Sequence, residues 1–548
     1  MQTTLQTMNG SRRWNLTFLF TVAFAAVGAV IQEPAVAQTE THTCARWETV
    51  LRSTRAYEDP GRDVVLRVTY TGPAGQVQRA YGFWDGGDMF KIRCAFPTPG
   101  LWRWRAESSD TANTGLHTQT GTISVTPYRG GNPLYCHGFL RVSTNRRYLC
   151  YADETPFLWM GDTAWVGPMK STETDWETYL ADRVDKHFTV IQIGPAPWWA
   201  GKQDAAGNPP FLGEGISRMN PVFWQAYERK VQRANEQGLF VLMVGLMEPT
   251  TRYPASEDAC LFARQIAARL NGNFIAFSPS FDSGYRPLGD EVGEAIRDAT
   301  RVHLITEHPG TTTGKPVNTI AETHFDRPFL DFVGDQTGHN GGNRELCARQ
   351  AIEWNSHLYR REPHKPVINL EAMYDTEGKT AFNAYDARSL GWRSWLSGAM
   401  GYTYGTDLYQ WETDRVKANY WRKAMSLPSS RQMTCLHDLL AGIDWWRLEP
   451  ANELVRNPPA DYLRRPVLAR TARGDLAIAF LPDGDEVTID ISALSGPVMA
   501  RWFDPTNGKQ LAVGGSPFPN KSDHHFVPPG RNATGAKDWV LVLETGSR

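Results

Sequence analysis

None of the seven cysteines, Cys44, Cys94, Cys136, Cys150, Cys260, Cys347 and Cys435, stands in a Cys-x-x-Cys spacing, which removes the usual zinc-ribbon and dithiol redox centres. His-Glu-x-x-His is missing as well, so no zincin helix is signalled. Without a Gly-x-Ser-x-Gly elbow the chain lacks the nucleophile turn of α/β-hydrolase esterases. No Gly-rich loop follows the first apolar run of the central region, so a dinucleotide or phosphate cradle is not expected. Neither charge is in surplus: 57 Lys and Arg face 59 Asp and Glu, a net charge of -2. No basic tract provides a nucleic-acid footprint. Past residue 37, no apolar stretch reaches the roughly 20 residues that span a bilayer. The reading is a protein without metal or cofactor.

What is present begins at the N-terminus. Arg12 and Arg13 precede an apolar run from Phe18 to Ile31, and Ala35-Val36-Ala37 supplies the small-residue spacing of a cleavage site. This is the layout of a secretory signal, residues 1–37, and the run is too short for a membrane anchor. An exported, periplasmic or extracellular protein is the expectation. An oxidising destination permits disulfides, and Cys136 with Cys150 is one candidate to close a hairpin. An odd cysteine count leaves at least one thiol over. Twenty Trp are many for this length. Indoles fill cores and also stack on the C–H faces of sugar rings.

The rhythm of the chain changes twice. Over residues 38–127, short alternating segments separated by Gly/Pro turns (Val64–Tyr70, Phe90–Phe96, Leu101–Ala106, Gly121–Val125) read as an N-terminal β-sandwich. Over 128–435, apolar runs alternate with amphipathic helices: Pro156–Asp162, Thr189–Gly194, Leu239–Leu246, Phe274–Ser280, His303–Glu307, Asp331–Gln336, Pro366–Glu371 and Gly401–Gly405. That makes eight runs, the number a (β/α)8 TIM barrel needs, and it is preferred over an open doubly wound sheet. Thr174 and Glu177 suggest a capping box before Trp176, Tyr179, Leu180 and Val184. Phe223, Tyr227 and Val231 mark a second helix ending at Gly238, and Glu345–Tyr359 a third. From 436 to 548 the strand pattern returns as a C-terminal β-sandwich-like domain, with Asp523-His524-His525 expected in a solvated loop. No internal repeat occurs.

In such a barrel, chemistry sits at the C-terminal ends of the strands. Those ends carry Asp162 and Trp165, Gln192 with Trp198 and Trp199, Asp282, Glu307 and His308, Gln336 and His339, Glu371, and Tyr404. Carboxylates, aromatics and neutral hydrogen-bonding groups dominate over cations. That set suits glycosidic bond cleavage, where one acid protonates the leaving oxygen and a second group attacks the anomeric carbon or activates water. Asp282 and Glu371, ending the fourth and seventh runs, are the expected catalytic pair. Asp282 would be the acid/base, its pKa raised by burial and a neighbouring charge, and Glu371 the nucleophile. Asp290 and Glu291 are alternatives for the acid. Substrate contacts are expected from Asp162, Trp165, Gln192, Trp198, His308, Gln336, His339 and Tyr404, with an oligo- or polysaccharide as partner. Carboxyl groups about 5–5.5 Å apart would give a retaining enzyme, and about 6.5–9.5 Å an inverting one. The competing reading is a non-catalytic carbohydrate-binding or scaffold protein that keeps the barrel.

Phe157-Leu158-Trp159-Met160-Gly161-Asp162-Thr163-Ala164-Trp165 resembles the opening motif of apiosidase-like bacterial glycoside hydrolases, glycoside hydrolase family 140 and relatives. The likeness continues at Thr306-Glu307-His308-Pro309, Asp335-Gln336-Thr337-Gly338-His339, Lys365–Glu371 and Ser397–Gly405. It implies a catalytic Asp after the fourth strand, a Glu after the seventh, and β domains fused on both sides of the barrel. This chain departs from the family's usual Gly-Gly-Asp at the acid, carrying Ser278-Pro279-Ser280-Phe281-Asp282 instead.

Overall fold

The structure, a computed structural model, describes residues 39–251, 254–282, 286–311, 319–338, 342–376, 382–411 and 420–546. The expected leader and His339 lie outside the described residues.

At the centre is a curled, seven-stranded, all-parallel sheet. Its spatial order is Ile275–Ser278, Phe240–Val244, Val190–Ile193, Trp159–Thr163, Gly401–Tyr404, Val367–Glu371 and Val333–Gln336. The first strand in the chain pairs with the last, Trp159 opposite Gly401 and Asp162 opposite Tyr404. Every residue of these strands is buried, which is why they read as apolar runs: helices cover the outside and side chains fill the inside.

The expected strand His303–Glu307 does not form. Phe277 and Ile305 make one isolated parallel bridge, and the Ile305 N–H is taken by the Asp331 carboxylate at 2.8 Å. A side chain thus intercepts a donor the ladder would need. The segment still joins its neighbours: Thr306 N donates to Phe277 O at 2.9 Å and Asp331 N to Ile305 O at 2.9 Å.

The helix Glu173–Asp185 begins two residues earlier than the Thr174 box requires. Thr172, in extended backbone, accepts from Asp175 N at 3.1 Å and is the cap. Trp176, Tyr179 and Leu180 are buried as expected, but Val184 is 39% exposed and Arg183 takes the inner position. Helices Pro221–Glu236 and Arg344–Arg360 occupy the expected places. Helix Pro428–Ala441 runs through the boundary expected at 435/436.

Before the central sheet, a five-stranded sheet (order Thr39–His42, Gln119–Thr126, Gly100–Ser108, Leu66–Thr71, Val77–Tyr81) faces a three-stranded one (Arg46–Arg52, Met89–Ala95, Phe83–Trp84). Trp47, Tyr70, Ile92, Phe96 and Trp102 fill the space between them. After the central sheet come a six-stranded sheet and a two-stranded one. In the latter, Asp523–Phe526 is a strand paired with Val487–Asp490, not the expected loop. Buried Phe526 anchors it, and the His524 ring lies 3.9 Å from that of Phe518.

Charged groups seal both junctions. Arg93 of the first region forks onto Glu228 at 2.6 and 2.8 Å, while Arg269 reaches Asp85 at 2.9 Å. Arg388 holds Asp538 bidentately at 2.7 and 2.8 Å. Cys136 and Cys150 are not bonded. Cys150 is buried, whereas exposed Cys136 turns its thiol to the Gly130 carbonyl at 3.3 Å, and none of the seven cysteines forms a disulfide.

Candidate active site

Three sheet-end residues converge from separate strands. Asp282 follows Ile275–Ser278, Gln336 ends Val333–Gln336, and Glu371 ends Val367–Glu371. The Gln336 amide donates to Asp282 Oδ1 at 3.1 Å and to Glu371 Oε2 at 2.9 Å. His308 bridges the same two acids, Nδ1 lying 3.5 Å from Asp282 Oδ1 and Nε2 3.2 Å from Glu371 Oε2. One donor atom each of Asp282, His308 and Glu371 lies within 4.8 Å of the others. The two acids therefore meet.

Their surroundings differ. The Glu371 side chain is nearly sealed, whereas that of Asp282 is 43% exposed. The burial expected of Asp282 is thus absent, because it sits just beyond the strand in a left-handed conformation (φ 50°). The Gly310 backbone packs directly against it: a Cβ at Gly310 would stand 2.8 Å from the Asp282 carbonyl oxygen.

His308 is fixed from below and from both sides. Its backbone N–H donates to Ser278 Oγ at 2.9 Å and Ser280 Oγ at 3.2 Å. Its ring stacks on Phe281 (centroids 5.8 Å) and meets Trp165 edge-on at 5.2 Å. Burial opposes a charge here, but Asp282 and Glu371 outweigh it and lift the imidazole pKa to about 9. A doubly protonated ring donates from both nitrogens, one toward each carboxylate. A second set of close donors, His187, His437 and Asp438, lies away from this site.

Not every expected contact reaches the site. Side chains alternate along a strand. Trp159 packs on Phe240 and Phe332 within the curl, so Asp162 points outward. There it accepts from Tyr179 at 2.6 Å and pairs with Arg183 at 3.2 Å. Tyr404, its partner in register, also lies on that face and hydrogen-bonds Ser429 at 2.6 Å. Both are sealed under helices, which removes them from sugar contact. Gln192 points inward but spans the interior, donating to the Leu370 carbonyl at 3.1 Å. It supports the strand that carries Glu371 and is fully buried. Trp165 is buried as the wall behind His308, and Trp198 is 43% exposed. Of the alternative acids, Asp290 is held by Arg327 at 2.5 Å and Glu291 by Ser256.

Sequence reasoning missed Tyr374, Ser278 and Ser280. Burial first, then the charge of Glu371 and a hydrogen bond to it, push the Tyr374 hydroxyl pKa well upward. Its place three residues after Glu371 was the available signal. Next to His308, Glu307 is buried and bonded to Ser280 and Arg327; burial raises its pKa to about 7 against the pull of Arg327.

Residues 143–447 match the family model described as Apiosidase-like, catalytic domain. The chain belongs to the apiosidase-like family. It is by that membership a glycoside hydrolase. Flanking this apiosidase-like region, residues 41–109 match a domain of unknown function, DUF5060, and residues 450–544 a model for the collagen-binding domain of a collagenase. No curated protein matches the chain significantly. Among solved structures, one described as a glycoside hydrolase is 22% identical, covering 77% of this chain and 99% of its own, with a TM-score of 0.66. A glycoside hydrolase family 5 structure from Bacteroides vulgatus gives 22% identity, 76% and 95% coverage and a TM-score of 0.65. A third structure, also from Bacteroides vulgatus, gives 17%, 92% and 100%, with a TM-score of 0.70. At these identities the likeness is one of fold.

Proposed function

We propose that this chain is an exported, retaining glycosidase in which Glu371 is the nucleophile and Asp282 the acid/base, acting on a sugar at the end or side of an oligo- or polysaccharide. The observation that carries the reading is the meeting of the two carboxylates: one oxygen of each lies within 4.8 Å of the other, with His308 and Gln336 touching both. That closeness is nearer the about 5–5.5 Å of retaining enzymes than the about 6.5–9.5 Å that admits a water between a general base and the anomeric carbon, and it favours direct attack by a carboxylate.

The roles follow from the two environments. Glu371 is held by Gln336 and His308, and a cationic imidazole beside it favours the ionised, attacking form. Asp282 is exposed enough to exchange its proton with a leaving oxygen and then with water. In the first step Glu371 Oε2 bonds to the anomeric carbon as the glycosidic C–O bond breaks, and the Asp282 proton goes to the departing oxygen. In the second, Asp282 takes a proton from water, whose oxygen displaces Glu371.

The closed (β/α)8 barrel is part of this proposal. Pairing of the first strand with the last, and the bonds linking 277, 305 and 331, support closure around an eighth, irregular segment. So is the division into a leader over 1–37, a sandwich over 38–127, a catalytic barrel over 128–435 and a C-terminal β domain. Export rests on the Arg12-to-Ala37 pattern. Trp198 and Trp199 supply aromatic surface for the sugar, Trp199 lying 5.9 Å from Tyr409 and 6.4 Å from Phe281.

The test is a panel of aryl glycosides with the wild-type chain, Glu371→Gln and Asp282→Asn. The expected outcome is turnover on at least one sugar, lowered about 10²–10⁴-fold by either change with sugar binding retained. Equal turnover in Glu371→Gln would contradict the assignment.

A further inference from the structure

At the opposite, N-terminal end of the parallel strands lies a cavity of about 520 Å³. Its lining includes six cations: Arg141, Arg146, Arg297, Arg301, Arg327 and Lys365. Only Asp326 and Asp331 face them from the same lining, and both are engaged. Asp331 is held by Arg297, and Asp326 by Arg361 at 2.7 Å. Arg141 has Glu154, and Arg327 turns its guanidinium to Glu307 and Asp290. Three cations remain. Arg146, Arg301 and Lys365 ion-pair with no carboxylate among the described residues.

Lys365 carries the argument furthest. It is buried, and its ammonium donates only to carbonyls, Phe325 O at 2.8 Å and Arg327 O at 3.4 Å. Arg146 stands by it, donating to the neighbouring His364 carbonyl at 2.7 Å. Burial, and after it the charge of Arg146, pull the Lys365 pKa down to about 8. A buried cation without an anion is costly, and a bound anion relieves that cost.

We propose that this cavity binds an oxyanion, the carboxylate, sulfate or phosphate group of a small ion or acidic sugar, between Lys365, Arg146 and Arg301. Guanidinium forks suit paired oxygens of such a group, and Lys365 adds a point charge to the same lining. Lying at the strand ends opposite Asp282 and Glu371, the site holds a charged ligand without entering the chemistry, and it stands whether or not the catalytic assignment does.

Calorimetric titration of the full chain with sodium sulfate, sodium phosphate and a uronic acid trisaccharide, at ionic strength fixed with chloride, tests it. At least one probe binds, and Arg146→Glu/Arg301→Glu weakens that binding about tenfold or more. Both residues are exposed, so the double variant keeps its fold and its turnover of an aryl glycoside. Lys365→Met is the buried counterpart. Binding of sulfate or phosphate alone assigns the site to free ions, and binding of the trisaccharide assigns it to acidic glycans; either supports an oxyanion site. No heat with any probe, or equal binding in the double variant, overturns it.

Discussion

Glu371 and His308 face each other at 3.2 Å, Oε2 to Nε2, with the imidazole closed off from solvent. The other ring nitrogen looks toward Asp282, so one cation sits between two acids. Its pKa is raised from 6.5 to about 9 in the fold, because the two carboxylates overcome the burial that opposes its charge. A base whose pKa rises on folding contributes stability in full below its unfolded value and loses it as pH climbs through the folded one. Between pH 7 and 10 the wild-type melting temperature therefore falls, while that of His308→Gln falls less. The same variant shifts the alkaline limb of the kcat profile. Parallel melting curves across that range would show that the charge has no such role.

Gly310 is a steric determinant of the acid. A methyl group there meets the Asp282 carbonyl oxygen at 2.8 Å, a contact that backbone alone must relieve. Gly310→Ala is expected to displace Asp282, lowering kcat by about 10²-fold and costing on the order of 1–3 kcal/mol of stability. Steady-state kinetics and a melting curve on the same sample check both halves.

Asp335 sits one residue from Gln336 and is buried with Oδ2 unpaired. Burial raises its pKa from 3.8 to about 7, only partly offset by the Gln336 N–H. An acid so shifted costs stability progressively as pH rises from 3.8 to about 7, where the unfolded chain sheds its proton and the fold still holds it, and the full cost remains above 7. Asp335→Asn cannot ionise. Chemical denaturation at pH 8 should show it more stable by on the order of 1–3 kcal/mol, the difference vanishing near pH 4.

Glu228 anchors the joint between the first β region and the central helices. Burial alone would raise its pKa, but Arg93 and Arg269 hold it down at about 2. Glu228→Ala leaves two buried guanidinium groups short of an anion and should cost about 3–5 kcal/mol by denaturant titration. Glu228→Met with Arg93→Met, which removes both charges, should recover part of that loss.

Several parts of this arrangement were legible in the sequence for physical reasons. Glu371 closes a run buried on both faces, and a charge there has to be at a strand end. Asp282 follows the fourth run in the same way. The face of each strand was not legible. Asp162 and Tyr404 stand in register on the helix side, while Gln192 and Glu371 turn inward. Alternation reveals this only once one inward residue, such as Trp159, is fixed. The failed strand at 303–307 depended on Asp331, a residue 26 positions from Ile305 whose capture of its N–H no local pattern encodes. The bridge made by His308 likewise joins three chain segments.

The configuration of the first sugar released tests the central claim most directly. Proton NMR of an aryl glycoside during early turnover should show the anomer of the substrate retained, with the signal lost in Glu371→Gln. An inverted first product would mean that Asp282 and Glu371 do not act as acid and nucleophile across one bond.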